Sequence, residues 1–273
     1  HQRVQAQQQV QALLQQSLVA AEHGAVELGG RIPGQVLRQR IAGFRRFQQG
    51  QVNLRFREAH GNEDPRGARD HEASRALADQ LQRRGHTVTL AAHRPESDSV
   101  KAALARNGQL QVAAPAQAVA EAEVVFVATP FAAAAEALAA VSGELSGKIL
   151  VDCTNPVGPG LSHGLASAAS GSERLQAQLP NTQVVKAFTI YGFENFENNV
   201  FPGHDVKPVM MFCGRDGAAK AKVGGLIAEL GWEPLDVGGL EQALHLEHMT
   251  LLWVRMVRVH QHSPHMVWPV LKR

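Results

Sequence analysis

The sequence predicts an α/β protein built on a parallel sheet, and three stretches of similar design carry that prediction. Each is a short apolar run that ends in polar or turn-forming residues: Val124 to Phe131, Ile149 to Pro156 and Val184 to Tyr191. Strands of parallel sheets are apolar on both faces, and proline ends them because it has no N–H to donate. Segments typical of helices lie between these runs, at 132–141 and 172–178. This alternation of strand and helix predicts a parallel sheet with helical crossovers.

Composition sets the broad class of the protein. The chain has 273 residues, of which 44% are hydrophobic and 19% charged, so we expect one large or two modest domains with a real core. The formal charge of +2 gives no reason to expect a nucleic-acid partner, and no apolar run approaches the roughly 20 residues of a membrane span. Cys153 and Cys213 lie far apart, which favours buried free thiols in a reducing compartment. We therefore expect a cytoplasmic protein with no membrane partner.

Residues 1–70 differ in composition from the rest of the chain. Thirteen of the first 51 residues are Gln, against ten in the remaining 222, and residues 1–70 contain ten Arg and no Lys. An Arg-rich helix for an anionic partner is one interpretation. A disordered or accidental extension is the preferred one, and a shifted reading frame between 62 and 73 is a further hypothesis.

From Glu72 onward the pattern is that of a dinucleotide-binding unit. A helical segment runs to Arg84, a strand follows at 87–92, and a second helix begins near Ser97. The first strand and the glycine-rich turn that should precede Glu72 are missing from residues 61–70. The predicted fold is therefore a Rossmann-like, doubly wound parallel sheet at 71–190, with a smaller C-terminal α/β domain at 191–273. We expect the missing turn to impair cofactor binding.

The N-terminal region offers one substitute for the missing strand. Residues 51–56 alternate polar and apolar side chains, as a half-buried strand does. A gap at the centre of the sheet would leave backbone groups unpaired, at a cost of roughly 1–3 kcal/mol each.

The end of the second predicted strand indicates which nicotinamide cofactor binds. In Rossmann units an acidic residue at this corner binds the adenosine ribose, whereas an Arg accommodates a 2′-phosphate. This chain has His93-Arg94 and no carboxylate before Glu96, so NADP(H) is the predicted cofactor. The alternative is an Arg on an ordinary surface loop.

Two further strand ends supply candidate cofactor contacts. They are Ala128-Thr129-Pro130-Phe131 and Asn155-Pro156. Hydride transfer between two redox cofactors mainly requires close positioning, and small residues with prolines suit that need. Ordinary loop sequences are an equally good explanation.

Five histidines lie between His245 and His265. Histidine pairs at short spacing bind zinc in some proteins, but no Cys accompanies these. We expect a solvated or dimer-facing terminal helix and no metal site, with a homodimer as a hypothesis.

These residues together resemble one family, the NADP oxidoreductases that use the deazaflavin coenzyme F-420, from about 75 to 273. The matching segments end in His93-Arg94, Phe131, Pro156 and Phe188, and others lie at 207–216 and 231–238. The resemblance implies an NADP-binding Rossmann domain, a C-terminal domain that closes the cleft, and F-420 or a flavin as co-substrate. It also implies acceptor contacts at Thr189 and Tyr191, where many relatives have Asn-Thr-Leu in place of Thr-Ile-Tyr.

Three functions follow from this reasoning. The leading one is hydride transfer between NADP(H) and a deazaflavin, flavin-like or quinone-like acceptor, with no catalytic side chain assigned. The second is a β-hydroxyacid-type dehydrogenase, for which Lys186 is the only candidate general acid at a strand end. The third is a non-catalytic, NADP-sensing relative.

Overall fold

The computed structural model describes residues 51–55 and 65–273, with side chains from Glu72 onward. All of these residues fall in one compact unit. The predictions for residues 1–50 and 56–64 lie outside the described part of the chain.

The described strands form one sheet in the order β3-β2-β1-β4-β5-β6-β7-β8. All neighbours are parallel except β6 and β7, which are antiparallel. The first six strands of this order have the doubly wound arrangement, so the predicted fold class is confirmed. The strands are β1 (Gln51–Arg55), β2 (Thr87–Ala91), β3 (Gln111–Ala113), β4 (Val124–Val127), β5 (Ile149–Asp152), β6 (Gln183–Lys186), β7 (Val209–Gly214) and β8 (Glu233–Asp236).

Helices connect these strands in sequence. Those of the described residues are α1 (Pro65–Arg83), α2 (Asp98–Arg106), α3 (Pro115–Glu121), α4 (Phe131–Ala139), α5 (Gly171–Gln178), α6 (Phe193–Glu197), α7 (Gly217–Glu229) and α8 (Ala243–Arg258). Short 3-10 helices occur at Pro159–Leu161 and Leu240–Gln242.

The prediction that the first strand is missing is wrong, because the chain recruits Gln51–Arg55 for this position. β1 lies at the centre of the sheet and pairs with both β2 and β4. It therefore provides the partners that two inner edges would otherwise lack. The helix that follows also begins before Glu72, at Pro65. The connection between β1 and α1 carries one glycine, Gly61, where a glycine-rich turn would carry several. The division of the chain at residues 70 and 190 stays a prediction.

The other predicted strands and helices form close to their expected positions. The apolar runs became β4, β5 and β6 because their side chains are buried on both faces, as in Val125, Phe126 and Leu150. The helix α5 begins where Ser170 and Glu173 form a reciprocal capping box, which satisfies two N–H groups at its start. Beyond β6, the C-terminal part extends the same sheet through β7 and β8 and ends in α8.

The core continues across both halves of the sheet. Aromatic rings link them: Phe126 contacts Phe188, which contacts Phe196, which in turn meets Trp232. No helix of the described residues is long and apolar enough to cross a membrane.

Candidate functional site

The polar strand ends predicted from sequence are brought to one edge of the sheet. The register pairs Val127 with Asp152 and Asp152 with Lys186, so β4, β5 and β6 end side by side. Thr129, Asn155 and Thr189 follow these ends by two or three residues each. In open α/β sheets, ligands bind in the crevice outside the carboxyl ends of the strands.

Thr129 is the residue of this edge that most clearly lacks a partner. It is only 5% exposed, yet its Oγ1 makes no hydrogen bond within the described part of the chain. A buried hydroxyl without a partner costs about 1–3 kcal/mol, so a hydrogen bond to a ligand is the natural compensation. Its neighbour Ala128 is already engaged, because the Ala128 carbonyl accepts a 2.9 Å bond from Ser74 Oγ of α1. Pro130 then caps α4, whose first residue is Phe131.

Asn155 lies at the end of β5 and is half-buried. Thr189 Oγ1 donates to Asn155 Oδ1 at 2.7 Å, while Asn155 Nδ2 makes one long contact, 3.4 Å, to the Cys153 carbonyl. The second N–H of the amide has no partner within the described residues. Asn155 therefore offers a hydrogen-bond donor at the sheet edge, followed by the buried Pro156.

The backbone around Thr189 is strained. Phe188 and Ile190 have positive φ angles, 52° and 67°, which are costly for residues with a Cβ. Both side chains are fully buried, and this packing holds the unusual conformation in place. Non-glycine residues in such conformations are concentrated at ligand sites, which supports a functional role for this corner.

Tyr191 faces away from this edge into the C-terminal part of the sheet. Its ring stacks on Trp232, with 5.3 Å between centroids. Its hydroxyl donates to the Val209 carbonyl at 2.9 Å and accepts from the Trp268 N–H at 3.1 Å. These contacts occupy the ring and the hydroxyl within the protein, so an acceptor contact at Tyr191 stays a prediction.

His93 and Arg94 follow β2 and are exposed. In the sheet, β1 and β4 separate β2 from β5. Three strand intervals correspond to about 14 Å, so only a long ligand reaches from Arg94 to Asn155. A dinucleotide has that extended form.

A buried charged cluster lies beside the ends of β5 and β6. Lys186 is fully buried, and its Nζ lies 3.2 Å from Asp152 Oδ2 and 3.4 Å from Glu247 Oε1 of α8. Nζ also donates to the Thr154 carbonyl. Two hydroxyl groups donate hydrogen bonds to the Asp152 carboxylate: Ser172 Oγ lies 2.6 Å from Oδ2, and Thr154 Oγ1 lies 2.7 Å from Oδ1.

His163 connects this cluster to the long loop after β5. The N–H groups of Leu165 and Ser167 donate to His163 Nδ1 at 3.3 and 3.1 Å. Because Nδ1 accepts these bonds, the ring proton lies on Nε2, which donates to Glu247 Oε2 at 2.8 Å. Glu247 also accepts a 2.8 Å bond from the Gly171 N–H at the start of α5. Glu247 thus joins the sheet, the loop, α5 and α8.

This environment removes Lys186 from acid–base chemistry at the cleft. Burial alone would lower the pKa of Lys186, but the carboxylates of Asp152 and Glu247 outweigh that effect and raise it. Burial also raises the pKa of the Cys153 thiol far above its usual range. Lys186 therefore stays protonated and paired within the protein.

Sequence reasoning missed Glu247, His163 and Thr250. Thr250 Oγ1 lies 2.8 Å from Thr189 Oγ1 and accepts a 3.0 Å bond from the Ile190 N–H. Glu247 and Thr250 are one turn apart on the buried face of α8, among the apolar residues Leu246 and Trp253. Polar residues on the apolar face of a predicted helix were the signal that could have identified them. Of the five histidines between 245 and 265, His248 stacks on His163 of the long loop after β5. No group of metal ligands forms among the described residues.

Comparison with known proteins agrees with this fold. The family "NADP oxidoreductase coenzyme F420-dependent" matches residues 72–156, which include β2 to β5 and end at Pro156. A protein of Arthrobacter sp. described as an F420-dependent NADP reductase has 26% identity and a TM-score of 0.65, over 79% of this chain and 96% of that one. An imine reductase of Streptomyces aurantiacus, with 17% identity and a TM-score of 0.52 over 77% of this chain and 64% of that one, shares the fold.

The rat metalloreductase STEAP3 is 30% identical over 178 residues, which cover 65% of this chain. They cover 34% of the rat protein, so this chain spans about a third of the length of that relative. The family is described as NADP oxidoreductases, and the Arthrobacter protein is described as an NADP reductase. The chain is therefore similar to the coenzyme F420-dependent NADP oxidoreductases over residues 72–156, the region that the family matches.

Proposed function

We propose that the protein transfers a hydride between NADP(H) and a deazaflavin or another flavin-like or quinone-like acceptor. The observation that carries this proposal is the edge formed by Thr129 and Asn155, which offers an unpartnered buried hydroxyl and a free amide donor where β4 and β5 end. Ala128, Pro130 and Pro156 flank these donors in the sequence. NADPH, when bound there, supplies the hydride.

The chain's own residues bind and orient the cofactor. The Arg94 guanidinium, with His93 beside it, provides the charge-assisted contact that a 2′-phosphate requires. Ala128, Thr129, Pro130, Phe131, Asn155 and Pro156 hold the nicotinamide half. Because both partners are redox rings, positioning and the exclusion of water are the main requirements, and no acidic or basic side chain is needed.

The site supports this function better than a β-hydroxyacid dehydrogenase. That reaction needs a proton donor near the substrate, and Lys186 was its candidate. Lys186 is fully buried and bound to Asp152, Glu247 and the Thr154 carbonyl, so it does not reach a ligand at the edge.

The connection between β1 and α1 sets an expectation for affinity. Glycine-rich turns allow the backbone to approach the pyrophosphate closely, and this connection has Gly61 alone. We therefore expect NADPH to bind more weakly than it does to proteins with a full glycine motif.

The test measures NADPH and NADH binding by fluorescence, and hydride transfer by the loss of deazaflavin or flavin absorbance. Arg94→Ala should weaken NADPH binding about ten- to a hundredfold and leave NADH binding unchanged, because a hydrogen bond to a charged group contributes about 1.5–3 kcal/mol. Arg215→Ala is the matched control, since Arg215 is an exposed arginine after another strand, β7. An unchanged NADPH-to-NADH affinity ratio in Arg94→Ala would exclude the role of Arg94. Binding without turnover of any acceptor would favour the NADP-sensing alternative.

A further inference from the structure

A chain of hydrogen bonds runs from α8 to the candidate nicotinamide site. Thr250 of α8 contacts the loop after β6 through the Ile190 N–H, at 3.0 Å, and through Thr189 Oγ1, at 2.8 Å. Thr189 Oγ1 lies 2.7 Å from Asn155 Oδ1. Thr189 and Thr250 are both buried, so water does not compete for these contacts.

The direction of this chain follows from the groups at its two ends. A backbone N–H only donates, so Ile190 occupies one lone pair of Thr250 Oγ1. The Asn155 amide oxygen only accepts, so the Thr189 hydroxyl donates to it, and the Thr189 oxygen accepts from Thr250 at 2.8 Å; the Thr250 hydroxyl also lies 3.1 Å from the Leu246 carbonyl. With its own oxygen accepting from Thr250, Thr189 donates its proton to Asn155 Oδ1.

This arrangement fixes which way the Asn155 amide points. Oδ1 is turned toward Thr189, so Nδ2 is turned away from it, with one N–H directed at the Cys153 carbonyl at 3.4 Å. The other N–H is the donor that Asn155 offers at the sheet edge. A free amide can rotate by half a turn and offer an oxygen instead. Here the rotation would turn the amide oxygen toward the Cys153 carbonyl, which only accepts, so the bonds to Thr189 and to Cys153 together oppose it.

We propose that Thr250 and Thr189 are positioning residues that hold the Asn155 amide as a donor to the carbonyl oxygen of the nicotinamide carboxamide. This inference rests on the proposed function and assigns one contact within it. The strained backbone at Phe188 and Ile190 belongs to the same device, because it directs the Thr189 side chain and the Ile190 N–H toward Asn155 and Thr250. Through Thr250, helix α8 contributes to the cofactor site although α8 does not touch the cofactor itself.

The first experiment compares two ligands on the full chain. NADPH occupies both halves of the site, whereas adenosine 2′,5′-bisphosphate occupies only the half near Arg94. Thr250→Val and Thr189→Val should each weaken NADPH binding about three- to tenfold, the range of one or two neutral hydrogen bonds, and leave binding of the bisphosphate unchanged. Thr250→Ser keeps the hydroxyl and should retain wild-type affinity for both ligands.

The second experiment needs no ligand. The side-chain amide resonances of Asn155, identified by their absence in Asn155→Asp, should shift in Thr250→Val and stay in place in Thr250→Ser. Leu252→Ala, an exposed position on the same helix, is the control and should move neither the resonances nor the affinities.

The outcomes separate this proposal from the proposed function. Wild-type protein that binds neither ligand would overturn the proposed function, while the amide resonances would still report on the hydrogen-bond chain. Wild-type binding of NADPH with no selective loss in either valine variant would overturn the positioning role alone. An equal loss of both ligands in the valine variants would do the same, because it would show general damage to the fold.

Discussion

Replacing Lys186 by methionine should destabilise the protein strongly, because it removes the only positive charge that contacts Asp152 and Glu247 within the described residues. Both carboxylates are fully buried, and each lies within 3.5 Å of Lys186 Nζ. Removing one partner of a buried ion pair typically costs about 3–5 kcal/mol, since the remaining charge stays buried without compensation. We therefore expect a decrease of about 3–5 kcal/mol in the free energy of unfolding.

Urea unfolding followed by circular dichroism measures this change, and Lys220→Met is the matched control. Lys220 pairs with Asp236 at 2.9 Å, a shorter distance than that of Lys186 to Asp152, but on the surface. Surface pairs contribute about 0–1 kcal/mol, so the control should lose little stability. If Lys186→Met falls within about 1 kcal/mol of the wild type, the charged cluster does not hold the fold together as described.

Three further outcomes follow from packing and titration. Gly171→Ala would place a methyl group 2.6 Å from a Phe131 ring carbon and should lower the free energy of unfolding in urea by about 1–3 kcal/mol. Gly143→Ala is the control and should be nearly neutral, because nothing lies within 4 Å of the added methyl group. Equal losses in the two variants would contradict the close packing at Gly171. Burial raises the pKa of the Cys213 thiol to about 12. Mass spectrometry should therefore find this thiol alkylated in urea but not in the folded protein at about pH 8. Fast labelling of the folded protein would refute the burial. Folding raises the pKa of Lys186 above 10.5, so the stability that protonated Lys186 contributes is present below that pH and is lost as the pH rises through the higher folded value. In alkaline urea titrations the wild type should therefore lose more stability than Lys186→Met. Parallel curves would contradict the raised pKa.

Much of the sheet could be predicted because buried parallel strands have a strong local pattern. Val124 to Phe131 and Ile149 to Pro156 are continuous apolar runs with proline after them, and the structure places both in the sheet. β1 was harder to recognise, because Gln51–Arg55 alternates polar and apolar residues and no glycine turn follows it. Its position became clear only from the need to fill the centre of the sheet.

Only part of the candidate site could be predicted, because only some of its residues follow a local sequence pattern. Thr129 and Asn155 lie directly after apolar runs, so local sequence identifies them. Glu247 and Thr250 make contacts across 60 to 84 residues of chain, and no local pattern records such contacts. Spatial proximity of this kind depends on how α8 packs against the sheet.

Hydrogen–deuterium exchange of the full chain with and without NADPH tests the central claim most directly, because it locates the cofactor along the sheet. Bound NADPH should slow exchange in three separate segments that follow β2, β4 and β5, near Arg94, Thr129 and Asn155. The edge strand β8 should be unaffected. Protection confined to β8, or no protection at any of the three strand ends when NADPH is at saturating concentration, would contradict a dinucleotide site at this edge of the sheet.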